Sequence, residues 1–302
     1  MKGLLICCFV FTSMFANVEM KFDSFEYWQN RLKNKDLRYG YYTDKTMLII
    51  VNKQQKDMRV FSYEAGELVK KFSQVVITGK NGDKMREGDL KTPVGVYDIT
   101  KRFVPKDQFY GPLAFSLSYP NLLDRVARKT GGGIWIHGYP IDGKRDNDLT
   151  TRGCVAIKNT LLLEFGSVVD NQAVVLISEQ IDTESTNDEI ALIFSSIFKW
   201  QNAWQSNDIK EYLEFYSIDF VSYNGENFQK FKTTKERIFS KNEKKEIKFS
   251  NFSVTPYPNV KDLKIFRVIF DEEYSAPSHK FKGKKELYVR LDSGKFKIIA
   301  EN

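Results

Sequence analysis

Two rhythms divide this chain, and they restrict its fold more than any other feature. From Met47 onward the sequence runs in short β-type stretches. Met47-Leu48-Ile49-Ile50-Val51 and Met58-Arg59-Val60-Phe61-Ser62-Tyr63 read as strands around a polar turn. Residues 68 to 78, 92 to 99, 115 to 119, 133 to 136 and 173 to 177 read as further strands, with one helix over residues 161 to 169. Residues 179 to 188 are polar and read as a linker. Beyond them the spacing changes: Ile190, Ile193, Phe194, Ile197, Trp200 and Trp204 recur on one helical face, with Thr186 or Asn187 as the cap. A second helix over residues 209 to 215 precedes strands at 248 to 255, 263 to 270, 284 to 291 and 296 to 300, the last two joined by an Asp292-Ser293-Gly294 turn. The pattern predicts a mostly-β domain over residues 45–180 and a small α+β domain over residues 188–302. Residues 17–44 form a helical N-terminal segment carrying Phe22, Phe25, Trp28 and Leu32 at helical spacing.

The N-terminus predicts export. Met1-Lys2 followed by the apolar run from Gly3 to Phe15 reads as a signal peptide over residues 1–16, with cleavage after Ala16 and a periplasmic destination. Cys7 and Cys8 lie inside that run, so the mature chain keeps only Cys154 as a thiol, beside two histidines, His137 and His279. An unpaired cysteine in an oxidising compartment is unusual unless it has chemistry to do. The net charge of +7 is read against the same destination: it disfavours nucleic acid as the partner and suits an anionic wall polymer.

Cys154 ends the run Thr151-Arg152-Gly153-Cys154, downstream of Ile134-Trp135-Ile136-His137-Gly138. A thiolate is the competent nucleophile, and a nearby imidazole can take the thiol proton and return it to a leaving amine. That imidazole needs its second nitrogen held, and Gly138 offers only its carbonyl. Backbone N–H groups at Gly153 and Cys154 are candidates for an oxyanion hole. The planar guanidinium of Arg152 suits a substrate carboxylate, with Trp135 and Lys80 as candidates for the pocket rim. One thiol and two separated imidazoles make no zinc set, the Gly79 to Lys84 stretch has the wrong spacing for a phosphate loop, and Gly131-Gly132-Gly133 precedes a strand where a dinucleotide fingerprint would follow one. No metal or cofactor is expected.

At these residues the chain resembles the YkuD-type L,D-transpeptidase catalytic domain. The resemblance rests on Ile136-His137-Gly138, on Thr151-Arg152-Gly153-Cys154, and on Gly82-Asp83-Lys84, Glu87-Gly88-Asp89 and Thr92-Pro93-Val94-Gly95-Val96-Tyr97. It implies a β-sandwich with few helices, with Cys154 as nucleophile, His137 as base and Gly138 as the orienting carbonyl. Arg152 stands where the family commonly has histidine, and the segment from His137 to Thr151 is short. Residues 188–302 resemble a nuclear-transport-factor-2-like (NTF2-like) domain. The combination resembles the peptidoglycan L,D-carboxypeptidases that determine helical cell shape in Campylobacter and Helicobacter. It implies removal of D-alanine from stem tetrapeptides, with wall binding or homodimerisation through the C-terminal domain. Two alternatives stay open: an L,D-transpeptidase, in which an amine resolves the thioester, and a wall-binding protein without catalysis.

Overall fold

The computed structural model describes residues 21–143, 150–170 and 172–302. The signal-peptide reading of residues 1–16 lies outside them. In chain order the elements are α1 (Phe25–Leu32), β1 (Tyr41–Tyr42), β2 (Thr46–Asn52), β3 (Asp57–Glu64), β4 (Glu67–Val75), β5 (Gly95–Phe103), β6 (Ala114–Leu117), α2 (Leu122–Val126), β7 (Trp135–His137), β8 (Val155–Ala156), α3 (Asn159–Val168) and β9 (Val174–Ser178), then α4 (Asn187–Gln205), α5 (Ile209–Glu214), β10 (Tyr216–Ser222), α6 (Phe228–Phe239), β11 (Glu246–Pro256), β12 (Ile265–Ala276), β13 (His279–Asp292) and β14 (Lys295–Glu301).

The first domain is an eight-stranded sheet in the order β4-β3-β2-β9-β5-β6-β7-β8. Strand β5 belongs to both halves: its residues Gly95 to Asp98 pair with β9, and Ile99 to Phe103 pair with β6. The halves thereby close over one core, in which Ile49, Val51 and Val60 meet Phe115, Ile136 and Val155, with Leu162 and Phe165 of α3 filling the end. Strand neighbours point to opposite faces. Met47, Ile49 and Val51 enter this core, while Leu48 and Ile50 enter a second one shared with Tyr257, Ile265 and Tyr288 of the C-terminal domain. Burial on both sides is why β2 is an unbroken apolar run.

The C-terminal domain is a six-stranded sheet in the order β1-β11-β12-β13-β14-β10, covered by helices. Thr186 caps α4 with a reciprocal Glu189 box, the choice of cap that the sequence had left between two residues. The N-terminal segment is built into this domain. Tyr41 pairs with Val254, and the Trp28 ring stacks on Phe194 of α4 at 4.3 Å between centroids. Across the domain boundary Arg267 forks onto Asp98 of β5 at 2.5 and 2.8 Å, and its Nε donates to Glu286 at 2.6 Å.

Candidate active site

Strands β7 and β8 run parallel, with Ile136 opposite Val155 and His137 opposite Ala156. Cys154 precedes β8 by one residue, so continuing the register sets it beside Trp135. Trp135 and His137, two residues apart, share a face. Both rings meet Tyr110 edge-on there, at 4.9 and 5.0 Å between centroids.

His137 is buried, and its Nδ1 lies 2.6 Å from the Gly138 carbonyl oxygen. A carbonyl only accepts, so Nδ1 carries the proton and Nε2 keeps the lone pair a base needs. Close packing holds that carbonyl in place. The Gly138 N–H donates to the Tyr110 carbonyl at 3.0 Å, and a Cβ at Gly138 would stand 2.2 Å from Asn159 Oδ1. That same oxygen accepts the Tyr139 N–H at 2.8 Å.

The turn into Cys154 is organised by Thr151. Its N–H donates to the Thr78 carbonyl at 2.8 Å, and its hydroxyl donates to the Cys154 carbonyl at 2.6 Å. The hydroxyl oxygen also accepts the Gly153 N–H at 3.1 Å. The Gly153 amide, suggested by sequence as an oxyanion donor, is therefore engaged within the turn, which leaves the Cys154 amide as the candidate. Gly153 has φ of +127°, and a Cβ there would stand 2.9 Å from the Lys91 carbonyl oxygen, so only glycine fits.

Cys154 is half-buried, with Sγ 3.6 Å from the Gly133 carbonyl oxygen. Burial pushes the thiol up to about 11, against the opposing pull of the Trp135 backbone amide and the Lys84 charge. The thiol is thus protonated at rest and needs a base to become a nucleophile.

Trp135 is half-buried and meets Phe103 edge-on at 5.0 Å. Arg152 is exposed, and its charge reaches the Tyr110 hydroxyl, whose proton affinity is raised first by burial and next by Cys154. Lys80 is exposed at the start of the loop over residues 79 to 92, bridged to Lys91 by backbone. A cation whose charge favours the Cys154 thiolate is Lys84, a buried side chain paired with Asp89 at 2.9 Å. Lys84 and Tyr110 were not singled out for the site from sequence. Lys84 stands in the Gly82-Asp83-Lys84 run, a usable signal, whereas nothing local marks Tyr110.

This fold agrees with comparisons to known proteins. Residues 46–177 match the L,D-transpeptidase catalytic domain (YkuD), and residues 192–302 match the Cds6 C-terminal NTF2-like domain. The chain belongs to the YkuD L,D-transpeptidase family, in the two-domain form that ends in an NTF2-like domain. Over nearly its whole length it is similar to the helical cell shape determining protein Pgp2 from Campylobacter jejuni. One Pgp2 crystal structure is 43% identical, covers 93% of this chain and 100% of Pgp2, and has a TM-score of 0.88; a single-substitution variant gives 42%, 94%, 99% and 0.91. Bd1075 of Bdellovibrio bacteriovorus is 27% identical over 88% of this chain and 95% of its own, with a TM-score of 0.69. Among curated proteins, the candidate L,D-transpeptidase YafK of Escherichia coli is 29% identical over 103 residues, which span 38% of YafK.

Proposed function

We propose that the protein is a periplasmic peptidoglycan L,D-carboxypeptidase that trims stem tetrapeptides to tripeptides and thereby contributes to cell shape. The observation that carries this reading is the His137 Nδ1 contact to the Gly138 carbonyl at 2.6 Å, on the strand beside the only described cysteine. It leaves Nε2 as the base for a thiol that burial keeps protonated.

In this reading His137 takes the Cys154 proton, and the thiolate attacks the carbonyl at the L-centre of meso-diaminopimelate. The oxyanion is met by the Cys154 amide. The C–N bond to D-alanine then breaks, and the leaving amine receives the proton from His137. Water, deprotonated by the same imidazole, hydrolyses the thioester and restores the thiol. Arg152 holds the terminal carboxylate, with Trp135 and Lys80 at the rim. Hydrolysis is preferred over amine transfer because the chain resembles the cell-shape carboxypeptidases across both domains.

The C-terminal domain is assigned wall binding, with homodimerisation as the competing role. Its sheet holds Glu272, Glu301 and Lys285 in a largely buried cluster, with Lys285 3.4 Å from Glu301 and the Tyr216 hydroxyl donating to Glu301 at 2.9 Å. Lys235 lies over the Phe231 ring at 4.9 Å. Buried charge of this kind is enriched at ligand sites. Co-sedimentation with purified sacculi reads out wall binding, and sedimentation of the protein alone reads out dimerisation. In the described residues no helix is long and apolar enough to cross a membrane.

The test is mass analysis of disaccharide-tetrapeptide incubated with the wild-type protein and with Cys154→Ala. Loss of one alanine, absent in the variant, is the expected result. Cross-linked dimers would replace hydrolysis by transpeptidation, and unchanged substrate with both proteins would leave the non-catalytic wall-binding alternative.

A further inference from the structure

The loop over residues 79 to 92 forms two walls of the site. At one wall its ends abut the nucleophile turn: Thr78 accepts the Thr151 N–H, and the Lys91 carbonyl crowds Gly153. At the other, the Met85 carbonyl accepts the Thr130 N–H at 3.1 Å, and the Lys84 stem lies 3.3 Å from where a Cβ on Gly131 would be. Gly133, two residues on, supplies a carbonyl 3.6 Å from the Cys154 sulfur.

Two charged side chains outside the catalytic set grip this loop chiefly by the N–H and carbonyl of one residue, Gly82. Lys53, fully buried, donates through Nζ to the Gly82 carbonyl at 2.6 Å, to the Thr92 carbonyl at 3.1 Å and to Glu179 Oε2 at 2.5 Å. Glu179 Oε1 accepts the Gly82 N–H at 2.8 Å. Both polar groups of Gly82 are therefore held by one ion pair. The next residue, Asp83, is fastened by the Val94 N–H at 2.8 Å and Lys129 at 2.6 Å, and Lys84 follows it. A buried ion pair is weak evidence for stability, so its retention here asks for another reason.

We propose that Lys53 and Glu179 are positioning residues, which clamp Gly82 and through it hold the loop and Lys84 against the Cys154 turn. Glu179 is also the first residue of the linker to the C-terminal domain, so the linker's start is part of the active-site wall. The inference rests on Cys154 being the reactive thiol, as proposed above. It does not depend on which acceptor resolves the thioester.

The test reads Cys154 itself by peptide-mapped iodoacetamide alkylation at pH 8.5 on the full chain, in wild type, Glu179→Gln, Lys84→Met and the double variant. Around the thiol stand Tyr110 and Lys84, which interact with it electrostatically, His137 on the adjacent strand and Arg152 two positions before it, and of these the clamp acts through Lys84. Removing the Lys84 charge lowers the thiolate fraction, so Lys84→Met slows alkylation by about fivefold. Glu179→Gln is expected to slow it in the same sense, and to add nothing in the Lys84→Met background, because the two act in series. With tetrapeptide as substrate, Glu179→Gln is expected to lower kcat with little change in KM; the unfolding midpoint falls, because Lys53 loses its buried partner, and the assays are run below it, where circular dichroism shows the variant folded. Lys53→Met provides a second route to the same loss of grip. Alkylation at the wild-type rate in folded Glu179→Gln would overturn the inference, as would an equal slowing with and without Lys84. If wild type releases no alanine but the alkylation pattern holds, the clamp stands and the carboxypeptidase reading falls.

Discussion

The strongest constraints on chemistry sit within a few atoms of the thiol. At Gly138, a methyl group has nowhere to go, because Asn159 Oδ1 occupies its place. Gly138→Ala is expected to displace the carbonyl that holds His137 Nδ1 and to lower kcat for alanine release by about 100-fold or more, a loss on the scale of misplacing a general base. Steady-state kinetics with tetrapeptide checks this, with circular dichroism confirming that the variant folds. The thiol's own titration gives a second expectation. With burial raising it to about 11, alkylation of Cys154 should keep climbing with pH well beyond the range where an ordinary cysteine has levelled off. A profile that levels off near the ordinary cysteine value would contradict that. Cys154, His137 and Gly138 were legible as candidates because they lie in short motifs whose spacing reflects adjacent strands. Tyr110 was not, since it reaches the site by packing, from a stretch 27 positions before His137.

Elements show where local pattern suffices and where it does not. Helix α4 was legible because its apolar face repeats over five turns and its cap is chemically explicit. Thr186→Ala is expected to cost about 1 kcal/mol, read from denaturant unfolding. Helix α6 was missed: only Phe231 and Phe239 in it are buried, and Thr233 and Thr234 dilute its helical propensity. It forms because the rest of the domain supplies surfaces for those two rings: Phe231 meets Tyr216 and Phe220 of β10, and Phe239 meets Tyr212 of α5. The loop carrying Lys84 contains the clearest pH-dependent device. Burial alone would raise the Asp89 carboxyl, but Lys84 and the backbone amides of Arg86, Met85 and Lys91 outweigh it and hold the group well below the usual carboxylate range. A carboxyl depressed on folding stabilises above its unfolded pKa and loses that contribution as pH falls toward the folded value. Asp89→Asn should therefore be less stable than wild type at pH 7, with the gap closing below about pH 4. Thermal unfolding of both proteins across that range checks the sign.

At the scale of the whole molecule, the two domains are not beads on a linker. Leu48 and Ile50 of the catalytic sheet are buried under the C-terminal domain, Arg267 is locked onto Asp98, and the N-terminal helix packs on α4. Trp28→Ala should destabilise the C-terminal domain by about 3–5 kcal/mol, since it empties a stacked aromatic site that only the N-terminal segment fills. Chemical unfolding followed by aromatic fluorescence and circular dichroism measures it. By itself the sequence determined the order of the two domains and the rhythm of most strands and helices, and it pointed to the proposed nucleophile and base, because each is written in neighbours a few residues apart. Only the tertiary structure decided that α1 and β1 join the C-terminal domain, that the Gly153 amide is spent on Thr151, that the Lys84 charge favours the Cys154 thiolate, and that Lys53 and Glu179 hold the two polar groups of Gly82. Those are contacts between residues distant in sequence, or choices among competing hydrogen-bond partners, and they are settled only when chain closure brings the groups within reach.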